Sequence, residues 1–93
     1  MKTERAIRRR TIWKFPLSHG VAEVQMPLDA EVACFDFQNG APCIWAIVDP
    51  DVLSVTRRFE IFGTGHPLPA EDECCYVGTT QDGPFVWHLF ELL

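Results

Sequence analysis

Glu31-Val32-Ala33-Cys34-Phe35-Asp36-Phe37-Gln38-Asn39-Gly40-Ala41-Pro42-Cys43-Ile44-Trp45-Ala46-Ile47-Val48 is the stretch that decides the fold. Asn39-Gly40 stands between two apolar runs, and both residues tolerate the positive φ angles that a two-residue type I′ turn demands. A β-hairpin follows, with Gln38 opposite Ala41, Phe35 opposite Ile44 and Cys34 opposite Trp45. Pro42 has no N–H to give, so it must lie on the outer side of this ladder or in a widened loop.

Working outward, short apolar or alternating runs recur between turn residues, and helical periodicity is absent. The strands expected are Arg10 to Leu17, Val21 to Met26, Glu31 to Gln38, Pro42 to Val48, Val55 to Gly63, Cys75 to Thr80 and Phe85 to Leu92. The fold class is therefore all-β: a small antiparallel sandwich or partly open barrel of about seven strands. Ser18-His19-Gly20 is expected to turn the first strand into the second. A second hairpin is expected at Asp82-Gly83, placing Tyr76 opposite Leu89, Val77 opposite His88 and Gly78 opposite Trp87.

The chain has 93 residues, one domain's worth, and 47% of them are hydrophobic, which gives no case for disorder. Residues 10–93 are expected to form a single β domain and residues 1–9 a flexible basic tail. No apolar run is long enough for a membrane-spanning helix, and Met1 to Arg10 lack the apolar stretch of a secretory signal, so a cytoplasmic location is expected. The first 14 residues hold six cations against Glu4, whereas the rest hold only Arg57 and Arg58 against 12 carboxylates. Such a body repels a phosphate backbone, so duplex nucleic acid is not an expected partner. The four cysteines, Cys34, Cys43, Cys74 and Cys75, are read as buried free thiols, and no metal-ligand spacing appears.

Face by face, residues 55–61 alternate, with Val55, Phe59 and Ile61 opposed to Thr56, Arg58 and Glu60, and Arg57 interrupts the apolar side. Residues 43–48 and 85–90 are instead apolar on both faces and need cover on both sides. A homo-oligomer is one source of that cover.

Gly63-Thr64-Gly65-His66 is the most suggestive segment for chemistry. Its glycines permit a tight loop whose amides converge as an anion-binding nest, with a hydroxyl and an imidazole beside them. An ordinary glycine-rich turn with a hydrogen-bonded histidine is the other reading. Arg58 could clamp a phosphate from the strand that delivers this loop, and Trp45 could supply a stacking platform. The candidate ligand site is thus Gly63, Thr64, Gly65, His66, Arg58 and Trp45. For the arginines the alternative is a cross-strand pair with Glu60, Asp49 or Asp36. His88, within an apolar strand, reads as a structural histidine. No nucleophile motif supports a hydrolase, and no catalytic residue, metal or cofactor is expected.

The motifs Thr11-Ile12-Trp13-Lys14-Phe15-Pro16-Leu17, Gln38-Asn39-Gly40-Ala41-Pro42-Cys43-Ile44-Trp45-Ala46-Ile47-Val48-Asp49-Pro50, Gly63-Thr64-Gly65-His66-Pro67, Tyr76-Val77-Gly78-Thr79 and Val86-Trp87-His88-Leu89-Phe90-Glu91, in this order, resemble a widespread family of small phage and prophage proteins. The basic residues 1–10 depart from that family's shorter starts. The resemblance implies an accessory factor acting in the host cytoplasm against host defence. Two actions fit: sequestering a small, phosphate-bearing, nucleotide-type signal, or blocking a host defence protein with an acidic surface, as anti-CRISPR proteins can.

Overall fold

The computed structural model describes residues 9–93; apart from Arg9, the basic tail expected over 1–9 lies outside the described residues. Seven strands follow one another: β1 Thr11–Pro16, β2 Ala22–Pro27, β3 Glu31–Gln38, β4 Ala41–Val48, β5 Ser54–Gly63, β6 Cys74–Asp82 and β7 Phe85–Leu92, with a 3₁₀ turn at Glu71–Glu73. They form two antiparallel sheets, β1-β4-β3 and β2-β5-β7-β6. The expected all-β sandwich is what forms, and its sheets do not close into a barrel. No helix among the described residues is long and apolar enough to cross a membrane.

The first hairpin has the register expected of it: Gln38 pairs with Ala41, Phe35 with Ile44 and Cys34 with Trp45. Its turn residues Asn39 and Gly40 both have positive φ, 53° and 78°. Pro42 meets its constraint through β1, because Leu17 N donates to Pro42 O at 3.0 Å on the side away from β3, where Pro42 has no N–H to return. The second hairpin differs from expectation. Asp82 pairs with Phe85, so the turn is Gly83-Pro84, and Gly78 lies opposite Leu89 while Trp87 lies opposite Thr80. Gly83 has φ 59°, the first-position requirement of a type II′ turn, and proline's fixed negative φ suits the second position but excludes type I′. An irregularity between Tyr76 and Gly78 then shifts the register again, so Tyr76 faces Phe90.

Alternation builds the core. Ala22, Val24 and Met26 of β2, Phe35 of β3, Ile44, Ala46 and Val48 of β4, Phe59 of β5 and Leu89 of β7 meet between the sheets, with Phe15, Phe37, Ile61 and Trp87 around them. The sheets approach along β3 and β6, where the Thr80 hydroxyl donates to Asp36 Oδ1 at 2.7 Å. That bond and one from the Phe37 amide hold the Asp36 carboxyl below its ordinary range. The chain crosses from β2 to β3 in one turn, with Ala30 N donating to Pro27 O at 3.1 Å and Asp29 at φ 64°.

Arg57, which broke the apolar pattern of its strand, lies on the inner face of its sheet. Its guanidinium makes a two-pronged ion pair with Glu91, Nε to Oε2 at 2.8 Å and NH2 to Oε1 at 2.7 Å, and also donates to the Ala30 carbonyl. Both side chains are 21% exposed, and the guanidinium carbon stands 5.7 Å from the centre of the Phe59 ring. The acceptor is therefore Glu91 rather than Glu60, Asp49 or Asp36. The carboxylate raises the Arg57 pKa further above its ordinary value. The cysteine reading is corrected in part: all four are free, Cys43 and Cys74 are buried, but Cys34 and Cys75 are exposed, being on outward or edge positions of their strands.

Candidate functional site

Strand β5 ends at Gly63, and the chain reverses there. His66 N donates to Gly63 O at 3.0 Å, closing a turn, and Gly63 N donates back to the His66 ring at Nδ1, 3.1 Å away. Gly65 takes φ 87°, which favours glycine. The imidazole folds so closely onto Gly63 that a Cβ there would stand 2.8 Å from its Cε1. The amides of Gly63 and His66 are thus engaged inside the loop, so at most those of Thr64 and Gly65 could serve an anion. Because Nδ1 accepts, the neutral His66 ring carries its proton on Nε2.

Residue parity puts Thr64 on the outer face of the four-stranded sheet, over β7 and β6. There Thr64 Oγ1 lies 2.8 Å from His88 Nε2, and His88 Nδ1 lies 2.9 Å from Thr79 Oγ1, which lies 2.6 Å from the Tyr76 hydroxyl. Four groups from the loop, β7 and β6 form one hydrogen-bonded chain. Apolar rings flank it: Phe90 meets Tyr76 edge-on at 5.5 Å between centroids and Phe62 at 5.7 Å. The loop and this face border an open cavity of about 240 Å³ lined by Gly63, Thr64, Gly65, His66, Leu68, Tyr76, His88 and Phe90. Among the described residues no lysine or arginine lines it.

Four of the six residues singled out from the sequence, Gly63, Thr64, Gly65 and His66, come together here. Arg58 does not: it shares the outer face with Thr64 but stands six residues earlier on β5, roughly 20 Å along the strand, where its ladder neighbours are Glu23 and Leu92. Trp45 does not either. It lies half-buried on the outer face of the other sheet, between Lys14 and Cys34. Leu68, Tyr76, Thr79, His88 and Phe90 are the contributors that the sequence left unassigned to the site. His88 is a hydrogen-bonded histidine, as its apolar strand suggested, and is also part of the cavity wall.

A larger concavity, about 400 Å³, opens between Arg10, Leu28, Asp29, Glu31, Ile47, Val48 and Asp49. It is acidic, with Arg10 bonded to Glu31 at 3.5 Å and Asp49 accepting from the Asp51 amide at 3.0 Å. Among the described residues no three His, Cys, Asp or Glu side chains come together as a metal site.

No curated protein and no solved structure matches this chain. Over residues 8–93, which take in all seven strands, the cavity loop and every group of the hydrogen-bonded chain, the protein belongs to the family defined by a domain of unknown function, DUF7352.

Proposed function

We propose that the protein is a non-catalytic binding module whose ligand is a planar, hydrogen-bonding ring held in the cavity beside Gly63–His66. The observation that carries this reading is the Thr64–His88–Thr79–Tyr76 chain, a line of donors and acceptors set beside the apolar walls of Leu68 and Phe90. A few placed polar groups against apolar walls are what orient small ligands in pockets. A nucleobase has the right character, and a nucleotide-type signal remains the ligand class of the proposal. With no cation among the described residues of the wall, its phosphate would lie outside the cavity, meeting at most the Thr64 and Gly65 amides. The phage origin, the cytoplasmic site of action and the sequestering of a host defence signal belong to this proposal and are supported by the sequence motifs.

Calorimetry against nucleosides, cyclic mononucleotides, cyclic dinucleotides and ADP-ribose isomers tests it. Tyr76→Phe should weaken the binding ligand by about 0.5–1.5 kcal/mol, roughly 2- to 12-fold, as expected for one neutral hydrogen bond. Arg58→Ala, remote from the cavity, should leave the affinity unchanged. No heat from any compound would refute the proposal and favour the second reading, a protein-blocking acidic surface, for which the preponderance of carboxylates beyond residue 14 speaks.

A further inference from the structure

Strand β1 is an edge strand, and five of its six residues are exposed. Ile12, on the outer face, is 59% exposed, and Trp13, on the inner face, is 42% exposed. One edge strand of the other sheet, β2, is built differently. Ala22, Val24 and Met26 are buried beneath it, and Glu23 and Gln25 face outward. The remaining edges, β3 and β6, approach one another, so of the two outlying edges β1 is the one that, among the described residues, combines an open backbone rim with large exposed apolar side chains on both faces.

The ladder settles which groups of β1 are on that rim. The Leu17 N to Pro42 O bond continues the β1–β4 register, so Thr11, Trp13 and Phe15 direct their amides and carbonyls at β4. Ile12 and Lys14 direct theirs away, and Pro16, next on the rim, has no N–H.

We propose that this rim pairs with the same rim of a second copy, antiparallel about a twofold axis at Trp13, and so joins two three-stranded sheets into one of six. An antiparallel pair of identical strands is self-complementary, which makes a second copy the natural occupant. Charge selects the register. Centring the pair on Ile12 sets Lys14 against the partner's Arg10, and centring it on Lys14 sets the two lysines face to face; like charges directly opposite destabilise a ladder. Centring it on Trp13 sets Ile12 against the partner's Lys14, with no like charges opposed. The two Trp13 residues then meet as a non-hydrogen-bonded pair with Cα atoms about 4.5 Å apart. Each is flanked in its row by Ala46, whose small side chain leaves room for the indoles.

The local charge is also permissive. Acidic groups dominate the body, but beside β1 the cations Arg9 and Arg10 neutralise Asp51 and Glu31 at 3.2 and 3.5 Å. Two copies meet there with little of the repulsion that carboxylate faces impose. Ile12 and Trp13 supply apolar contact that backbone pairing alone lacks.

Sedimentation equilibrium of the full chain at tens of micromolar, with cysteine cross-linking, tests the proposal. The wild type should run at twice the monomer mass. Lys14→Pro removes a rim N–H that the chain's own ladder does not use, and should give a folded monomer by circular dichroism. In a Cys34→Ser, Cys75→Ser background, Trp13→Cys should form an intermolecular disulfide on mild oxidation, since its Cα spacing lies within disulfide range, and Thr11→Cys should not. A wild-type monomer overturns the inference. So does a dimer indifferent to Lys14→Pro, which places the contact elsewhere, or one that cross-links through position 11 and not 13.

Discussion

Separating Arg57 from Glu91 is the most informative stability experiment on this fold. The pair makes two charge-assisted bonds, at 2.8 and 2.7 Å, and the guanidinium also holds the Ala30 carbonyl, so it ties β5, β7 and the β2–β3 crossing together. Breaking a fully buried pair by removing one partner costs about 3–5 kcal/mol, chiefly because the other charge is stranded. At 21% exposure water reaches both groups, and screening lowers the expected cost to about 2 kcal/mol. For a domain of this size that corresponds to a fall in Tm of roughly 8–16 °C. Glu91→Leu should show this loss in thermal and urea unfolding. Arg57→Met with Glu91→Leu should recover part of it, because no charge is left behind, although the Ala30 carbonyl loses a donor. The coupling energy should therefore exceed the approximately 0.5 kcal/mol within which independent sites add. Additive losses in the double-mutant cycle would show that the ion pair does not act as a unit and would refute the reasoning.

Asp36 predicts a pH dependence. Its folded pKa is depressed below the ordinary 3.8 by Thr80 and the Phe37 amide, so the unfolded chain binds the proton more readily. The stabilisation is present above the unfolded value and lost as pH falls through the folded one. Thr80→Val should therefore destabilise near neutral pH, and its deficit should shrink in acid; a deficit that stays constant to below both values contradicts the assignment. Gly63→Ala should drive the His66 ring off its seat and break the Gly63 N to Nδ1 bond, an effect visible as a histidine Cε1–H chemical-shift change with the core intact. An unmoved His66 resonance would contradict that geometry. A thiol reagent should modify Cys34 and Cys75 readily in the native protein and all four cysteines after denaturation, without prior reduction. Native labelling of Cys43 at the same rate would contradict its burial.

Local chemistry made some of this architecture legible and left the rest hidden. Asn39-Gly40 determined a hairpin to the residue because two adjacent positive-φ positions admit few alternatives. At Asp82-Gly83-Pro84 the same logic misled, since Asp-Gly resembles the type I′ pair while the glycine is the first member of a type II′ turn with proline second. The irregularity after Tyr76 had no local signal at all. Strand order is non-local, and with it the site: Gly63 to His66 could be singled out as a loop, but that it would lie over His88 and Tyr76 depends on β7 sitting between β5 and β6. Arg58 shares the face of the loop but lies far from it along β5, because parity fixes which side a residue takes and not how far along the strand its neighbours lie. The expected need for cover on 43–48 and 85–90 is met in part within the chain: each is an inner strand, with Ile44 and Leu89 in the core, and Phe62 and Tyr76 pack on Phe90.

The hydroxyl–imidazole line over the four-stranded sheet has two proton orders. When the neutral His88 ring donates through Nε2 to Thr64, Nδ1 takes the Thr79 proton, Thr79 takes that of Tyr76, and the tyrosine oxygen is left as an acceptor while Thr64 is left with a proton to donate. When Thr64 donates to Nε2, the line runs the other way: Nδ1 donates to Thr79, Thr79 donates to Tyr76, and Tyr76 is free to donate while Thr64 accepts. Only hydroxyl rotation and a change of tautomer separate the two, and no heavy atom moves. The wall is therefore a reversible polar strip with opposite ends always complementary, which under the proposed function would let a ring present its donor and acceptor in either sense.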